Sequence, residues 1–422
     1  MNRMNLTFVL RTLARTAGVI PIVLAALSAC SIMQSAQPHA SSAPLAVEPQ
    51  WSSFRGPNTG VSPWANAPTD WDGPAGRGVI WKTRLKSAGV SSPVVWADRL
   101  FLTEGTDKER AVLAFDAGSG RQLWRQVVPD GGKGEPLPSV SDTGLALPTP
   151  ACDADGVYAL FGTGDLAAFS HDGRLLWQKF LGRPVIGYGF ASSPCIWGGL
   201  LFLQFDTHEN GKVLAIETAT GTIRWERERM RGAAWSSPII VPSADAGNLF
   251  VVNANGSLTA FNMAGEVTWD CDGVTGDVVP SPAYGSGNLY AVNAGASLLC
   301  YEMAKDPRRR WQHTGDLSDT SSPILVNGLL FMAAGGKLVR VDGLTGAELW
   351  AQPNEGCYAS LVASGDRVYA LGRSGKMTVV AAEREYRLIG TCRLGEESDA
   401  TPAMADGRIF IRGRDHLWCL GN

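Results

Sequence analysis

The sequence predicts an all-β protein: an eight-bladed β-propeller of four-stranded antiparallel blades, closed by an N-terminal strand that completes the last blade. A Ser/Thr-Pro phrase recurs about every 42 residues, which is the length of one propeller blade. A tryptophan follows most copies at a regular distance, and an unpartnered strand-like segment precedes the first copy. The phrase has its proline at Pro93, Pro150, Pro194, Pro238, Pro282, Pro323 and Pro402, and an eighth copy has Leu361 in that place.

Residues 1–29 are predicted to be a lipoprotein-type signal peptide rather than part of the fold. Three arginines precede an apolar run that is too short to span a bilayer, and the run ends in Leu-Ser-Ala-Cys at Cys30. This ending resembles the lipobox of bacterial lipoproteins, which implies cleavage before Cys30 and its lipidation. An ordinary secretory signal peptide with a chance cysteine is the alternative. Residues 30–49, rich in Ala, Ser and Pro, are predicted to form a flexible tether.

The propeller is predicted to occupy residues 50–422, beginning with a short leader from Trp51 to Trp64. The leader contains the turn sequence Arg-Gly-Pro-Asn and reads as a structural cap that packs Trp51 and Phe54 on a blade edge; a binding motif is the alternative. The segment from Gly78 to Leu85 then supplies the missing fourth strand of the last blade. Such a closure removes the open edges that a linear array of sheets would expose.

Each blade is predicted to end in an alternating strand, a polar residue, a glycine turn and a tryptophan on the outer strand. The glycines supply the positive φ of the turn, and the tryptophans cover the gaps between blades, a reading favoured over ligand stacking because their spacing is regular. Blade five is irregular, and blade seven lacks its tryptophan. The tryptophans are Trp124, Trp177, Trp225, Trp269, Trp311 and Trp350, and the glycines are Gly120, Gly173, Gly221, Gly265 and Gly346.

This repeat resembles the PQQ-type repeat of the quinoprotein-like family over essentially the whole mature chain. Together with the lipobox, it resembles the propeller lipoproteins of the outer-membrane β-barrel assembly machinery, which implies a non-catalytic scaffold for proteins. The family also includes PQQ-dependent dehydrogenases with eight such blades. Many of those enzymes have an adjacent-cysteine disulfide and a calcium site, but this chain contains neither a Cys-Cys pair nor a DxDxDG cluster. We therefore predict no cofactor and no metal.

Catalytic patterns are also missing from the sequence. The five histidines are isolated, and no GxSxG, HExxH or P-loop pattern occurs. The serines of the repeated phrase recur from blade to blade, which favours architecture over a unique nucleophile. Carboxylates near the blade starts are isolated from one another along the chain; they are Asp142, Asp277, Asp319 and Asp399. The net charge of −3 gives no basic surface for nucleic acid.

A docking surface is predicted on the face where the inner strands begin, because the longest connections of the chain gather there. These include the segment from Val127 to Ala146, which enters blade two. Aromatic residues just before the phrase are expected around the channel mouth and suit protein docking; filling a narrow channel as core residues is the alternative. The candidates are Tyr188, Phe190, Trp235 and Tyr358.

The function predicted from these observations is a non-catalytic protein-interaction scaffold in the cell envelope. The chain is expected to be monomeric, lipid-anchored through Cys30 and facing the periplasm, with the outer membrane favoured because Ser31 follows the cysteine. Its partners are expected to be envelope proteins. Two alternatives are a PQQ-dependent oxidoreductase and a periplasmic propeller that binds carbohydrate or peptide.

Overall fold

The computed structural model describes residues 50–421, apart from Asn58, Ala88, Asp107 and the segments 134–143 and 244–246. The predicted signal peptide (residues 1–29), Cys30 and the tether to residue 49 lie outside these described residues. The regular structure of the described part is β-strand throughout, which confirms the all-β prediction. It contains no apolar helix of membrane-spanning length.

Three strands precede the first blade, and the first four blades follow in chain order. The leading strands are β1 (Gln50–Trp51), β2 (Val61–Ser62) and β3 (Val79–Arg84). Blade one has β4 (Val94–Trp96), β5 (Arg99–Gly105), β6 (Arg110–Asp116) and β7 (Gln122–Val128); blade two has β8 (Ala151–Cys152), β9 (Val157–Leu160), β10 (Asp165–Phe169) and β11 (Leu175–Phe180). Blade three has β12 (Cys195–Trp197), β13 (Leu200–Phe205), β14 (Lys212–Glu217) and β15 (Ile223–Glu228); blade four has β16 (Ile239–Ser243), β17 (Gly247–Ala254), β18 (Ser257–Phe261) and β19 (Val267–Asp272).

The remaining four blades complete the ring. Blade five has β20 (Ala283–Gly285), β21 (Asn288–Val292), β22 (Leu298–Glu302) and β23 (Arg308–His313); blade six has β24 (Ile324–Val326), β25 (Leu329–Ala334), β26 (Lys337–Asp342) and β27 (Glu348–Pro353). Blade seven has β28 (Val362–Ser364), β29 (Arg367–Leu371), β30 (Lys376–Ala381) and β31 (Leu388–Arg393); blade eight has β32 (Ala403–Ala405), β33 (Arg408–Arg412), β34 (His416–Leu420) and β3. First strands of neighbouring blades contact each other, so they surround the central channel, and the fourth strands face outward.

Closure of the ring follows the prediction. Strand β3 pairs antiparallel with β34, so that Trp81 lies opposite Cys419 and the N-terminal strand becomes the outer strand of blade eight. Backbone hydrogen bonds extend the pairing beyond the strands, from Leu85 N to Asp415 O (2.8 Å) and from Gly421 N to Gly78 O (3.1 Å). Strand β3, from the N-terminal part of the chain, and strand β34, from its C-terminal part, thus lie in one sheet. The outer side of β34 is therefore paired and is not an exposed edge.

Tryptophans of the outer strands join each blade to the next one. In five of them the indole Nε1 donates to a backbone carbonyl at the third-to-fourth strand turn of the following blade, or next to it. The bonds are Trp81 to Ala117 O (3.0 Å), Trp124 to His171 O (2.8 Å), Trp177 to Thr218 O (2.7 Å), Trp225 to Met263 O (3.0 Å) and Trp311 to Gly343 O (3.2 Å). The prediction that these residues pack between blades is therefore confirmed, and Trp81 takes the same role across the closure.

The turn glycines are needed for this contact as well as for their positive φ. Gly221, at φ 71°, lies so close to Trp177 of the preceding blade that a Cβ there would be 2.7 Å from the indole ring. Gly173 is placed in the same way against Trp124, at 2.9 Å. A glycine at the turn and a tryptophan one blade earlier therefore form a single contact between sheets.

Blades five and seven break the pattern, and the tryptophans before them change accordingly. Trp269 faces the turn of blade five and Trp350 that of blade seven, and both indole nitrogens are buried without a hydrogen-bond partner among the described residues. Trp350 packs instead edge-on against Tyr386, with ring centroids 5.1 Å apart, and beneath it lies the guanidinium of Arg340 at 5.0 Å. The irregular turns thus lack a carbonyl in the position that the indole N–H requires.

Blade seven lacks a tryptophan for a reason that the ring closure explains. In blade eight the third and fourth strands are not joined by a turn, because β34 ends near the C-terminus and β3 comes from the N-terminal side. The segment before β3 fills the gap: Gly73 N donates to Arg393 O of β31 at 2.8 Å. Trp71 from this segment is buried in one cluster with Cys392 of blade seven and Leu417 of blade eight. Trp71 therefore seals the interface that no outer-strand tryptophan covers.

The leader enters the central channel. Strand β1 pairs with β4, the inner strand of blade one, and β2 pairs with β28, the inner strand of blade seven. Between them the Arg55 guanidinium is buried, where it donates to Thr59 O (2.6 Å), Pro282 O (2.9 Å) and Pro323 O. The predicted cap is therefore a plug, and the blade edges that it contacts are inner edges.

Candidate functional site

The serine or threonine before each phrase proline belongs to a closed ring of hydrogen bonds. Each backbone N–H donates to the side-chain hydroxyl oxygen of the equivalent residue in the next blade. The donor–acceptor pairs are Ser92–Thr149 (3.0 Å), Thr149–Ser193 (3.0 Å), Ser193–Ser237 (2.9 Å), Ser237–Ser281 (2.8 Å), Ser281–Ser322 (3.0 Å), Ser322–Ser360 (3.0 Å), Ser360–Thr401 (2.9 Å) and Thr401–Ser92 (3.0 Å). The repeated serine is therefore an architectural hydroxyl, as the sequence indicated.

A cavity of about 730 Å³ lies on this ring, at the end of the channel where the inner strands begin. The ring hydroxyls and Phe54 of the leader form its floor, and a second layer, two residues before each ring position, forms its wall. That layer consists of Val90, Leu147, Ala191, Trp235, Val279, Thr320, Tyr358 and Asp399. A smaller cavity of about 410 Å³ lies on the other side of Phe54 and Arg55. The leader therefore separates the two ends of the channel.

Three of the four predicted docking residues line this cavity. Trp235 and Tyr358 belong to the wall layer, and Tyr188 lies at the rim, where 76% of it is exposed. Tyr188 and Trp235 are in contact, with ring centroids 5.9 Å apart. Tyr188 also has φ 58°, a left-handed conformation that is unusual for a bulky residue and that orients it above the mouth.

Phe190 is the exception, and the expectation that it lies at the mouth is wrong. Its side chain is 1% exposed and packs in the core against Phe205, with ring centroids 4.8 Å apart. Successive side chains of an extended chain point to opposite sides. Trp235 and Tyr358 lie two residues before the ring and point into the channel, whereas Phe190 lies three residues before Ser193 and points away from it.

Charged side chains also line the cavity. Asp277, Asp319 and Asp399 line the same cavity, so the carboxylates that look scattered along the chain are brought to one site; Asp142 lies outside the described residues. Arg373 donates to both carboxylate oxygens of Asp399 (2.9 and 3.1 Å), and these hydrogen bonds raise the pKa of the guanidinium. Among the described residues no group of three or more His, Cys, Asp or Glu side chains could hold a metal ion.

One comparison with known proteins identifies the family to which this chain belongs. The family described as outer membrane protein assembly factor BamB matches residues 69–228 and again 209–421, which together span the propeller. The chain belongs to this family. Curated protein sequences give no match.

Three solved structures share the architecture of this chain. BamB from Moraxella catarrhalis superposes with a TM-score of 0.61 at 14% identity, covering 82% of this chain and 97% of the other. A europium-containing methanol dehydrogenase gives a TM-score of 0.66 at 11% identity, covering 87% and 90%. Quinohemoprotein alcohol dehydrogenase from Comamonas testosteroni gives 0.62 at 12%, covering 89% and 81%. At these identities the likeness concerns the fold alone.

The residues around the cavity do not fit the quinone cofactor that such dehydrogenases bind. Pyrroloquinoline quinone carries three carboxylates. The described residues that line the cavity include three carboxylates, Asp277, Asp319 and Asp399, and one guanidinium, that of Arg373, which already pairs with Asp399. Like charges at such a site repel the ligand. The seven cysteines in the described part of the chain are all free, and none is adjacent to another.

Sequence reasoning missed Arg373 and Asn293, which complete the rim. Both lie within blades, on turns after the second strand, far from the phrase that drew attention to the mouth. Their position becomes apparent only when blades are placed around the channel, because the second-to-third strand turn shares its face with the start of the inner strand. The rule that these turns share one face with the starts of the inner strands was the signal that could have located both residues from the sequence.

Proposed function

We propose that this protein is a non-catalytic scaffold of the bacterial envelope that binds envelope proteins and acts in outer-membrane protein assembly. The observation that carries the proposal is the family match over both halves of the propeller, since the family is described as an assembly factor. We further propose that the propeller is a monomer held on the periplasmic side of a membrane through lipidated Cys30, with the outer membrane favoured; the resemblance of residues 27–30 to a lipobox supports this anchor. This assignment rests on family and targeting segment together.

The partner surface is assigned to the face around the cavity. Tyr188 and Tyr358 are exposed there, at 76% and 49%. Val185 and Met230 lie in connections that lead to inner strands, on the same face, and are also exposed. Exposed aromatic and methionine side chains on rigid connections are typical anchors of protein interfaces.

Site-specific photocrosslinking in the intact envelope tests this surface. We expect a photoreactive phenylalanine analogue in place of Tyr188 to give crosslinks to a defined envelope protein, identified by mass spectrometry. The matched control is the same analogue in place of Trp197, which is 48% exposed at the opposite end of the channel. The surface assignment fails if both positions give the same products or if Tyr188 gives none.

Lipid anchoring has its own test. Replacing Cys30→Ser should move the protein from the membrane fraction to the soluble fraction, because each buried acyl CH₂ contributes about 0.8 kcal/mol to membrane binding. The control Cys271→Ser removes a half-buried thiol within the propeller and should leave the protein with the membrane. Retention of the Cys30→Ser protein in the membrane would contradict the anchor.

The quinoprotein oxidoreductase remains the alternative from another functional class. Titration of the purified protein with pyrroloquinoline quinone and Ca²⁺, followed by dye-linked alcohol oxidation, distinguishes the two. We expect neither stoichiometric quinone binding nor turnover, because the rim is rich in carboxylates. Binding accompanied by turnover would replace the scaffold proposal.

A further inference from the structure

The smaller cavity, at the end of the channel opposite the mouth, lies beside blades three and four. The leader pairs its strands β1 and β2 with the inner strands of blades one and seven, and Arg55 donates to carbonyls of blades five and six. In the described chain no strand pairs with the channel side of β12 or β16, the inner strands of blades three and four. Residues of both strands line the cavity instead, together with residues 52–57 of the leader. The leader therefore leaves a space of about 410 Å³ on this side of the channel.

Arg55 gives this smaller cavity a positive charge that no described side chain balances. The residue lines the cavity, is 1% exposed and makes no ion pair with any described residue. Its two terminal nitrogens donate to backbone carbonyls, but Nε is buried without a partner among the described residues. Burial lowers the pKa of the guanidinium to about 9. A buried charge without a counterion and a buried donor without an acceptor both cost free energy, so an anion beside Arg55 would stabilise the protein.

The rest of the lining is uncharged and largely apolar. No Asp or Glu is found among the described residues that line the smaller cavity, in contrast to the three carboxylates of the cavity at the mouth. Apolar side chains of blades three and four contribute to its wall, among them Ile196, Ile240 and Pro242. Trp197 also lines it and is 48% exposed, so an apolar ligand that covers this indole would be favoured. The cavity thus combines one cation with an apolar surface, which suits an anion that carries an apolar group.

We propose that the smaller cavity binds a small organic monocarboxylate with an apolar body. A carboxylate oxygen accepts from the Nε–H of Arg55, while the apolar body packs against Ile196 and Ile240 and covers Trp197. A single guanidinium balances a single carboxylate, so a second acidic group on the ligand would be left unpaired. The volume of about 410 Å³ lies toward the lower end of the roughly 300–1,000 Å³ that is usual for ligand pockets, which limits the ligand to a small molecule. Such a ligand can bind whether or not a protein docks at the mouth, because the two sites lie at opposite ends of the channel.

Isothermal titration calorimetry with the purified full-length protein tests this site. The probes are 3-phenylpropionate and octanoate, and the matched controls are their uncharged amides, which have nearly the same shape. We expect the carboxylates to bind and the amides to bind at least about tenfold more weakly, because the amides lack a charge-assisted hydrogen bond with Arg55. Asn248→Asp should weaken carboxylate binding about three- to tenfold, because the half-buried Asn248 lines the cavity and the new charge repels the ligand. Asn210→Asp adds the same charge on the exposed β13–β14 turn, at the mouth end, and should change nothing.

Three results would overturn the carboxylate site. The first is equal affinity for a carboxylate and its amide, or no binding of either carboxylate. The second is equal binding by the Asn248→Asp and Asn210→Asp proteins, because the ligand would then lie elsewhere. The third is tighter binding of acetyl-Gly-Phe than of 3-phenylpropionate, because the ligand would then be the carboxyl end of a polypeptide and not a small molecule.

The fold of the variant and the scaffold surface can be checked separately from the carboxylate site. The Asn248 side chain makes no hydrogen bond with a described residue, so the Asn248→Asp protein should unfold at the same urea concentration as the parent. A failure of photocrosslinking at Tyr188 would remove the docking face at the mouth and leave the carboxylate result standing.

Discussion

At the scale of single residues, the hydroxyl group is what all eight copies of the phrase share. Leu361 replaces the proline in blade seven, yet Ser360 keeps its place in the ring, donating to Thr401 and accepting from Ser322. Each hydroxyl satisfies a backbone N–H that the inner strand would otherwise bury without a partner. The ring therefore ties neighbouring blades together at the level of the cavity floor.

Removing one ring hydroxyl should destabilise the protein measurably. Ser237→Ala leaves the buried N–H of Ser193 without its acceptor, and we expect a loss of about 1–3 kcal/mol in the free energy of unfolding. Ser236→Ala is the matched control, because that neighbouring hydroxyl is buried without a partner among the described residues. Its effect should stay below about 1 kcal/mol. Urea unfolding followed by tryptophan fluorescence compares the two; equal losses would show that the ring bond contributes nothing.

At the scale of the elements, the outer strand of one blade and the turn of the next form one packing unit. The unit needs a flat indole, a carbonyl within reach of its N–H and a glycine that allows the ring to approach. Where the turn of the following blade is irregular, as in blades five and seven, the indole nitrogens of Trp269 and Trp350 have no hydrogen-bond partner among the described residues. Blade eight offers no such turn, and Trp71 fills that interface instead.

Two glycine variants separate the cost of a Cβ that contacts an indole ring from the cost of backbone strain at positive φ. Gly221→Ala and Gly232→Ala both place a side chain at positive φ, at 71° and 74°, but a Cβ at Gly232 meets nothing within 4 Å. We expect Gly232→Ala to cost about 1–2 kcal/mol from strain. Gly221→Ala should cost a further 1–3 kcal/mol or so, because it displaces Trp177. Thermal unfolding of both variants checks the difference, and equal costs would mean that the indole moves aside freely.

At the scale of the whole molecule, the residues before the first blade have two separate structural roles. Residues 50–64 plug the channel from inside, where Arg55 supplies donors to inner-strand carbonyls of blades five and six. Strand β3 closes the ring from outside by pairing with β34. Without β3, the edge of β34 would be unpaired, and an exposed sheet edge promotes association between chains.

Two truncated proteins should therefore behave differently. A chain of residues 67–422 keeps Trp71 and β3 but loses the plug; it should remain monomeric and unfold in one transition at lower urea concentration. A chain of residues 87–422 also loses β3 and should associate or aggregate. Size-exclusion chromatography with light scattering distinguishes them. A monomeric, cooperatively folded 87–422 chain would contradict the role of the closing strand.

Much of the candidate site could not be read from the chain alone. Phe190 lies three residues before its ring serine, whereas Trp235 lies two residues before its own. In the irregular segment before a strand, this difference of one residue decides whether a side chain faces the channel or the core. Asp277, Asp319 and Arg373 are distant in sequence and meet only because the blades converge on one channel. The inward path of the leader was likewise invisible, since a turn sequence does not say which edge of a blade it meets.

The sequence alone was sufficient to predict the fold class, the number of blades, the closing strand and the architectural nature of the serines. It could do so because each blade repeats one local pattern of strands, turns and packing residues, and repetition exposes that pattern. The chemistry of the cavity became apparent only in the tertiary structure, which combines a hydroxyl floor closed by Phe54 with carboxylates, aromatic side chains and, among the described residues, one guanidinium. The physical reason is that each blade contributes only one or two side chains to the channel, and their chemistry emerges when the ring brings them together.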